Sequence, residues 1–304
     1  MCKKLGLSAT CLLLAEVLVS CSPPTGKPLE QYSPASAPPP SLVAPEGPPP
    51  VVVASRMIVV DTTGGQVLAS KNADERCAVA STQKLLTALL VAEAGSLHDR
   101  VVIKPSDTEV EPTKLYLTPG HAYTRAALLK AILIRSANDA SMALARDVAG
   151  SVSNFTSLMN KRARSLGMSS SAFRNPHGLT EEGQYSTARD IARLALFVYQ
   201  NPVIRSSMTI PEYNFVHGDG KVTRLANTNK LLGKLPYVTG MKTGTTLKSG
   251  RCLVSSGNLH GRSVIVVVLG STSRAVWDDS ESLLRWALES PQVIKRPSRL
   301  NQIN

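Results

Sequence analysis

Three short groups of residues carry functional groups that could act together. Ser81-Thr82-Gln83-Lys84 sets a hydroxyl and an amine three residues apart. On a helix those positions share a face, so the Lys84 amine reaches the Ser81 hydroxyl. A serine needs a base to become a nucleophile, and a desolvated lysine can serve as one. A helix start also aims backbone N–H groups at developing negative charge. Ser136-Ala137-Asn138 offers a hydroxyl that can relay a proton and an amide that can hold a carbonyl and a lysine together. Lys242-Thr243-Gly244 offers a cation, a hydroxyl, and a glycine that lets a substrate lie close to the backbone. The first two alone are weak evidence, because chance supplies such patterns readily, and the third is the sharpest of the three. Ser256-Gly257-Asn258 repeats the second pattern and reads more simply as a turn between strands. Lys242 taken singly reads as a solvated charge guarding a sheet edge. Jointly, the three would support nucleophilic acyl transfer.

These groups must be positioned by an α/β domain. Residues 51–60 form a β-branched run, followed by a turn with Gly64 and Gly65 and a second run over 66–69, which predicts a hairpin. Helical spacing covers residues 81–94, 124–134, 139–149, 154–166, 187–199 and 278–288. Residues 251–255 and 263–269 read as strands joined by a turn at Gly257-Asn258. The run 264–268 is apolar at every position, so that strand needs cover on both faces. Strands at both ends with helices between predict one sheet completed by distant segments.

The chain has 304 residues, of which 43% are hydrophobic and 18% charged, enough for a sizeable core. Lys plus Arg number 34 and Asp plus Glu 22, giving +12. Lys3, Lys4 and Lys27 cancel Glu16, Glu30 and Glu46, so the whole excess lies on residues 51–304. A basic domain favours anionic partners. Only 4% of residues are aromatic, which speaks against base-stacking platforms, and nothing carries a nucleic-acid signature. The histidines and cysteines show no metal-ligand spacing, so no metal or other cofactor is expected.

Residues 1–20 read as an export signal, with Lys3 and Lys4 before an apolar stretch. Leu18-Val19-Ser20-Cys21 resembles the lipobox of bacterial lipoproteins, although Glu16 departs from the pattern. That resemblance implies cleavage before Cys21, its lipidation, and membrane anchorage in the cell envelope. Residues 21–50 carry eleven of the 20 prolines and are expected to form a stiff extended tether. Cys77 and Cys252 remain as two buried thiols or as a disulfide, which spacing does not decide.

In their order and with their flanks, the three motifs resemble the D-alanyl-D-alanine carboxypeptidases, the low-molecular-mass penicillin-binding proteins. The flanks are Ser136-Ala137-Asn138-Asp139-Ala140, Leu166-Gly167-Met168, Asn175-Pro176-His177-Gly178-Leu179, Ser186-Thr187-Ala188-Arg189-Asp190, Asn227-Thr228-Asn229-Lys230-Leu231-Leu232, and Gly240-Met241-Lys242-Thr243-Gly244-Thr245. The resemblance covers residues 51–290. It implies a β-lactamase/DD-peptidase-like fold, an antiparallel sheet flanked by helices with a mainly helical subregion. Residues 291–304 would be a short basic tail where many relatives carry a β-rich domain.

The same resemblance implies roles. Ser81 attacks the carbonyl between the last two D-alanines of a peptidoglycan stem peptide, and Lys84 takes its proton. Ser136 passes a proton to the leaving amine, and Asn138 orients the bound amide. Lys242 with Thr243 and Thr245, beside Gly244, holds the terminal carboxylate. The backbone N–H groups of Ser81 and Thr245 form an oxyanion hole. β-Lactams would acylate Ser81 and leave slowly, because no Glu-x-x-Leu-Asn segment follows Ser136 and Glu181-Glu182 has the wrong context. An endopeptidase cutting wall cross-links, or a non-catalytic tethered wall-binding module, are the alternatives. His177 reads as structural, and Arg189 and Arg274 as surface salt-bridging residues that could instead help hold a carboxylate.

Overall fold

The computed structural model describes residues 42–295. The expected signal segment, the expected lipidation site Cys21, most of the expected tether and the end of the tail lie outside the described residues.

Alternation along the strands decides the architecture. A five-stranded, wholly antiparallel sheet runs in the order β3 (Val67–Lys71), β2 (Arg56–Asp61), β10 (Arg262–Ser271), β9 (Gly250–Leu259) and β8 (Val238–Thr246). Val59, Val264, Val266 and Val268 face a layer containing Leu283, Leu284 and Ala287 of α7 (Ala275–Glu289). Ile58, Val60, Ile265 and Val267 face the larger helical body. Both faces of the 264–268 run are thus covered, as its uniform apolarity required.

The helical body is inserted between β3 and β8. It holds α1 (Lys84–Glu93), α2 (Arg125–Ile134), α3 (Asn138–Ala149), α4 (Val152–Ser165), α5 (Ala188–Gln200) and α6 (Pro202–Met208). Thr124, Ser151 and Thr187 each accept a hydrogen bond from the backbone of the first turn they precede, which fixes three of these starts. Two ribbons, β4 (Arg100–Val102) with β5 (Ala122–Thr124) and β6 (Glu212–Val216) with β7 (Val222–Ala226), complete this body. No helix among the described residues is long and apolar enough to cross a membrane.

Three expectations are corrected. The folded unit runs past both expected boundaries: β1 (Leu42–Pro45) pairs antiparallel with β11 (Gln292–Lys295), so the last part of the tether and the first part of the tail form a ribbon. Pro45 is tolerated there because it closes a strand at a sheet edge. Ser81 does not begin an α-helix; Ala80–Gln83 form a 3-10 turn that leads into α1. Gly257-Asn258 is not a turn. Gly257 lies inside β9, paired with Val238 on one side and Val264 on the other, and the reversal falls at His260 and Gly261.

Gly257 has a packing reason. A Cβ there would stand 2.8 Å from Leu288 Cδ1 and 3.3 Å from Tyr237 Cδ2, so α7 lies directly against this strand. Gly257→Val is expected to lower stability by about 1–3 kcal/mol, the usual range for overpacking. Urea unfolding checks this, and a wild-type midpoint would contradict the contact.

Candidate active site

The 3-10 turn does more for the Ser81–Lys84 pair than an α-helix would. With three residues per turn, positions i and i+3 eclipse. Lys84 Nζ stands 3.0 Å from Ser81 Oγ. Thr82 donates its hydroxyl to Val79 O at 2.7 Å and holds the turn closed. Ala80 takes φ 48°, a left-handed value that costs an alanine energy and turns the chain sharply before Ser81.

Lys84 is fully buried and caged. Its amine donates to Asn138 Oδ1 at 2.6 Å and to the His177 carbonyl at 2.6 Å. The same carbonyl also accepts from the Ser81 hydroxyl at 3.2 Å, and Lys84 Nζ donates to Ser81 Oγ. Burial pushes Lys84 well below the usual lysine range, the charge of Lys242 pushes in the same direction, and Asp139 opposes them. An uncharged amine has two N–H groups and one lone pair. In that form Asn138 and His177 would take both N–H groups and the lone pair would face Ser81 Oγ, once the Ser81 hydroxyl turns from the His177 carbonyl toward the amine.

Each wall of the cage is itself held. Asn138 Nδ2 donates to Pro112 O at 2.5 Å, and Asn138 N donates to Thr113 O at 2.8 Å. Asp139 accepts from the backbone N–H groups of Leu115 and Leu117, so the 112–117 segment is tied to the start of α3. On the other side, Gln83 donates to Asn175 O at 2.6 Å and Thr87 to Pro176 O at 2.6 Å, clamping the 175–179 turn to α1. Gly178 presses on this clamp. With φ +91°, any Cβ there would lie 2.2 Å from Ala80 O.

Strand β8 is the sheet edge, as its sequence suggested, and crosses in front of the 3-10 turn. Gly244 meets that turn: a Cβ would lie 2.9 Å from Ser81 N and 3.0 Å from Ala80 Cβ. The glycine is therefore demanded by the nucleophile's own backbone, a closer constraint than the substrate clearance expected of it. Lys242 is buried rather than solvated, and its amine donates to Thr243 O at 3.0 Å. Burial pushes Lys242 down to about 7. Thr243 Oγ1 shares a hydrogen bond with Thr228 Oγ1 at 2.7 Å.

A cleft of about 530 Å³ opens over this assembly. Ser81, Ser136, Thr243, Gly244 and Thr245 line it, while Lys84, Asn138 and Lys242 sit behind the lining. Its other charged lining residues are Arg135, Lys230 and Arg251, and none is Asp or Glu. Ser136 holds φ 67°, a second strained residue at the site.

The eight expected site residues of the domain therefore converge, with two differences in position. Asn138 faces Lys84 with its carbonyl and Pro112 with its amino group, so it reaches the lysine and not the open cleft. Lys242 lies beneath the cleft wall, and Arg251, paired in register with Thr245, is the cation of the neighbouring strand that lines it, alongside Arg135 and Lys230. Sequence reading missed Arg251 and the His177 carbonyl. The His177 ring accepts from Leu179 N at 3.2 Å, and burial beside Lys84 pushes it down to about 3, so its imidazole stays neutral and structural. Arg189 is paired with Asp74, and Arg274 with Asp278; neither lines the cleft. Cys77 and Cys252 are both free thiols.

A family model described as D-alanyl-D-alanine carboxypeptidase matches residues 44–273. The chain is 37% identical over 221 residues to D-alanyl-D-alanine carboxypeptidase DacF of Bacillus subtilis, covering 70% of this chain and 56% of that protein. It is 37% identical over 244 residues to D-alanyl-D-alanine carboxypeptidase DacC of Escherichia coli, covering 75% and 59%. The chain thus spans less than two thirds of the length of these relatives. A crystal structure of D-alanyl-D-alanine carboxypeptidase from Mycobacterium tuberculosis superposes with a TM-score of 0.76 at 30% identity, over 80% of this chain and 95% of that one.

Two buried amines in one site should cost stability. Lys242 falls from a free value of roughly 10.4 to about 7 in the fold. Below about pH 7 the fold therefore holds an ammonium that the unfolded chain would solvate, and this penalty fades as pH rises toward the free value. Lys242→Met is expected to raise the thermal midpoint, more at about pH 6 than at about pH 9. Melting curves at both values check it; an equal or smaller gain in acid contradicts the assignment.

Proposed function

The chain belongs to the D-alanyl-D-alanine carboxypeptidase family, and on that premise we propose that it is a serine-type D-Ala-D-Ala carboxypeptidase. It removes the terminal D-alanine of peptidoglycan stem pentapeptides through an acyl-enzyme. One observation carries the reading: a fully buried lysine amine, held by Asn138 Oδ1 and the His177 carbonyl, stands 3.0 Å from a serine hydroxyl on a cleft floor.

Ser81 attacks the penultimate carbonyl, and its proton passes to Lys84. The backbone N–H groups of Ser81 and Thr245 receive the oxyanion, each such donor contributing about 3–4 kcal/mol. Ser136 relays the proton to the departing D-alanine. Asn138 acts as a positioning residue for Lys84. Thr243, Thr245 and Arg251 meet the terminal carboxylate, and Lys242 supports them from behind while helping to keep Lys84 uncharged. Water then attacks the ester with Lys84 again as base. β-Lactams acylate the same serine, and a cleft lining without a carboxylate favours their slow release. Signal cleavage and lipidation at Cys21 would tether the domain to a membrane of the cell envelope, within reach of the wall.

The test is labelling with fluorescent penicillin, alongside D-alanine release from a pentapeptide. Wild type is expected to do both, and Ser81→Ala neither. Lys84→Arg keeps a charge but offers no neutral base, so labelling should slow by about 10²–10⁴-fold. Labelling of Lys84→Arg at the wild-type rate would overturn the assignment of the base.

A further inference from the structure

The His177 carbonyl is one of the two acceptors that hold the base, yet its residue type does not select it. Its own peptide unit aims it. The His177–Gly178 peptide is trans, since the cis bonds among the described residues lie elsewhere. In a planar trans peptide the C=O and the following N–H point in opposite directions. Whatever grips the Gly178 N–H therefore sets the bearing of the His177 carbonyl.

The grip is the side chain of Asn175. Its Oδ1 accepts from Gly178 N at 2.8 Å and from His177 N at 3.3 Å, the pattern of an Asx turn. Lys84 Nζ donates to the other end of the same peptide plane, at the His177 carbonyl, at 2.6 Å. The plane is thus held at both ends, and the bond from Gly178 N–H to Asn175 polarises the carbonyl into a stronger acceptor. The orientation of the Asn175 amide is itself fixed. The residue is buried, and its Nδ2 donates to Leu179 O and to Glu181 Oε2, both at 3.0 Å. A reversed amide would set oxygen against oxygen at both of those contacts and N–H against N–H at Gly178. Asn175 does not line the catalytic cleft.

We infer that Asn175 is a positioning residue for the general base: through the Gly178 N–H it turns the His177 carbonyl onto the Lys84 amine. The inference rests on the acyl-transfer reading and adds to its machinery a residue outside the cleft. Gln83 and Thr87 hold the turn by the carbonyls of Asn175 and Pro176, which a substitution of the Asn175 side chain leaves in place. Removing that side chain therefore frees one peptide plane and not the whole turn. The His177 carbonyl then no longer steadies the ammonium form of Lys84, and a group that loses a partner for its charged form gives up its proton more readily. Lys84 also feels Lys242 and Asp139, and the His177 ring feels Lys84 in turn; the substitution alters none of these side chains.

The test follows the rate of penicillin acylation against pH, with D-alanine release from a pentapeptide alongside. Asn175→Ala is expected to lower the alkaline plateau by about tenfold or more, part of what a positioned base contributes. The acid limb of its profile should move to lower pH. The cleft lining is unchanged, so the loss of D-alanine release should fall on kcat and not on KM. Poor folding alone would instead reduce the number of serines that can be acylated and leave the limb where it was. Asn175→Asp combined with Glu181→Gln restores an oxygen for the Gly178 N–H and a donor in place of the lost amide. This double variant should rescue more than about a third of the wild-type plateau, because the acceptor is retained, and it decides the matter if Asn175→Ala does not fold. An unmoved acid limb in Asn175→Ala, or a smaller recovery in the double variant, would overturn the role of Asn175 while leaving Ser81 and Lys84 as assigned. Absence of acylation in the wild type would overturn both.

Discussion

The site depends on keeping one amine uncharged where bulk solvent does not reach it. Burial does most of this, because an ammonium at the Lys84 position would be stripped of its hydration. The hydrogen-bond geometry then decides how the neutral group is used. When the amine is uncharged, two acceptors at 2.6 Å occupy its hydrogens and the lone pair is left facing Ser81. A cage with only one acceptor would let the amine rotate and present an N–H to the serine oxygen, where it could not remove a proton. The dominant constraint is therefore the pairing of Asn138 with the His177 carbonyl on either side of Lys84.

That pairing explains why much of the helical body looks as it does. One acceptor comes from the start of α3, the other from a turn between α4 and α5, and each is tied down before it meets the lysine. Asp139 spends its charge on backbone N–H groups of the 115–117 segment, which fixes Asn138 from below. Gln83 and Thr87 donate an amide and a hydroxyl hydrogen to carbonyls of the 175–179 turn. Gln83, inside the Ser81–Lys84 motif, and Thr87, one helical turn beyond Lys84, are thus the fasteners of the second acceptor. Gly178 and Gly244 close on the Ala80–Ser81 backbone from two directions and leave the nucleophile no room to drift.

Side-chain chemistry was legible in the sequence; main-chain chemistry was not. Ser81, Lys84, Ser136 and Lys242 announce themselves by type and spacing, and the 264–268 run announced a strand covered on both faces. The carbonyl of His177 had no such signal, because every residue owns a carbonyl and only the fold chooses one. The left-handed backbone at Ala80 and Ser136 was equally silent, since neither residue type prefers it. Gly257-Asn258 misled for the converse reason. A glycine can mark a turn or a close approach, and only the proximity of Leu288 tells them apart. The ribbon of β1 and β11 pairs segments from opposite ends of the domain, a contact that no local pattern records.

A tension remains between the two uses of positive charge. Lys242 helps keep Lys84 neutral, yet the cleft is lined by cations suited to an anionic substrate. A carboxylate arriving in the cleft offsets part of that positive field and so favours protonation of Lys84, at the moment when the base is needed. The architecture separates the two effects. Lys84 and Lys242 lie behind the lining, coupled through the protein interior where charges are screened least. Arg135, Lys230 and Arg251 stand on the open wall, where solvent damps their influence on the base. Burial, which no substrate can undo, is the larger cause of the shift at Lys84. The base is thus kept neutral mainly by where it sits, and the surface cations are left to attract the substrate.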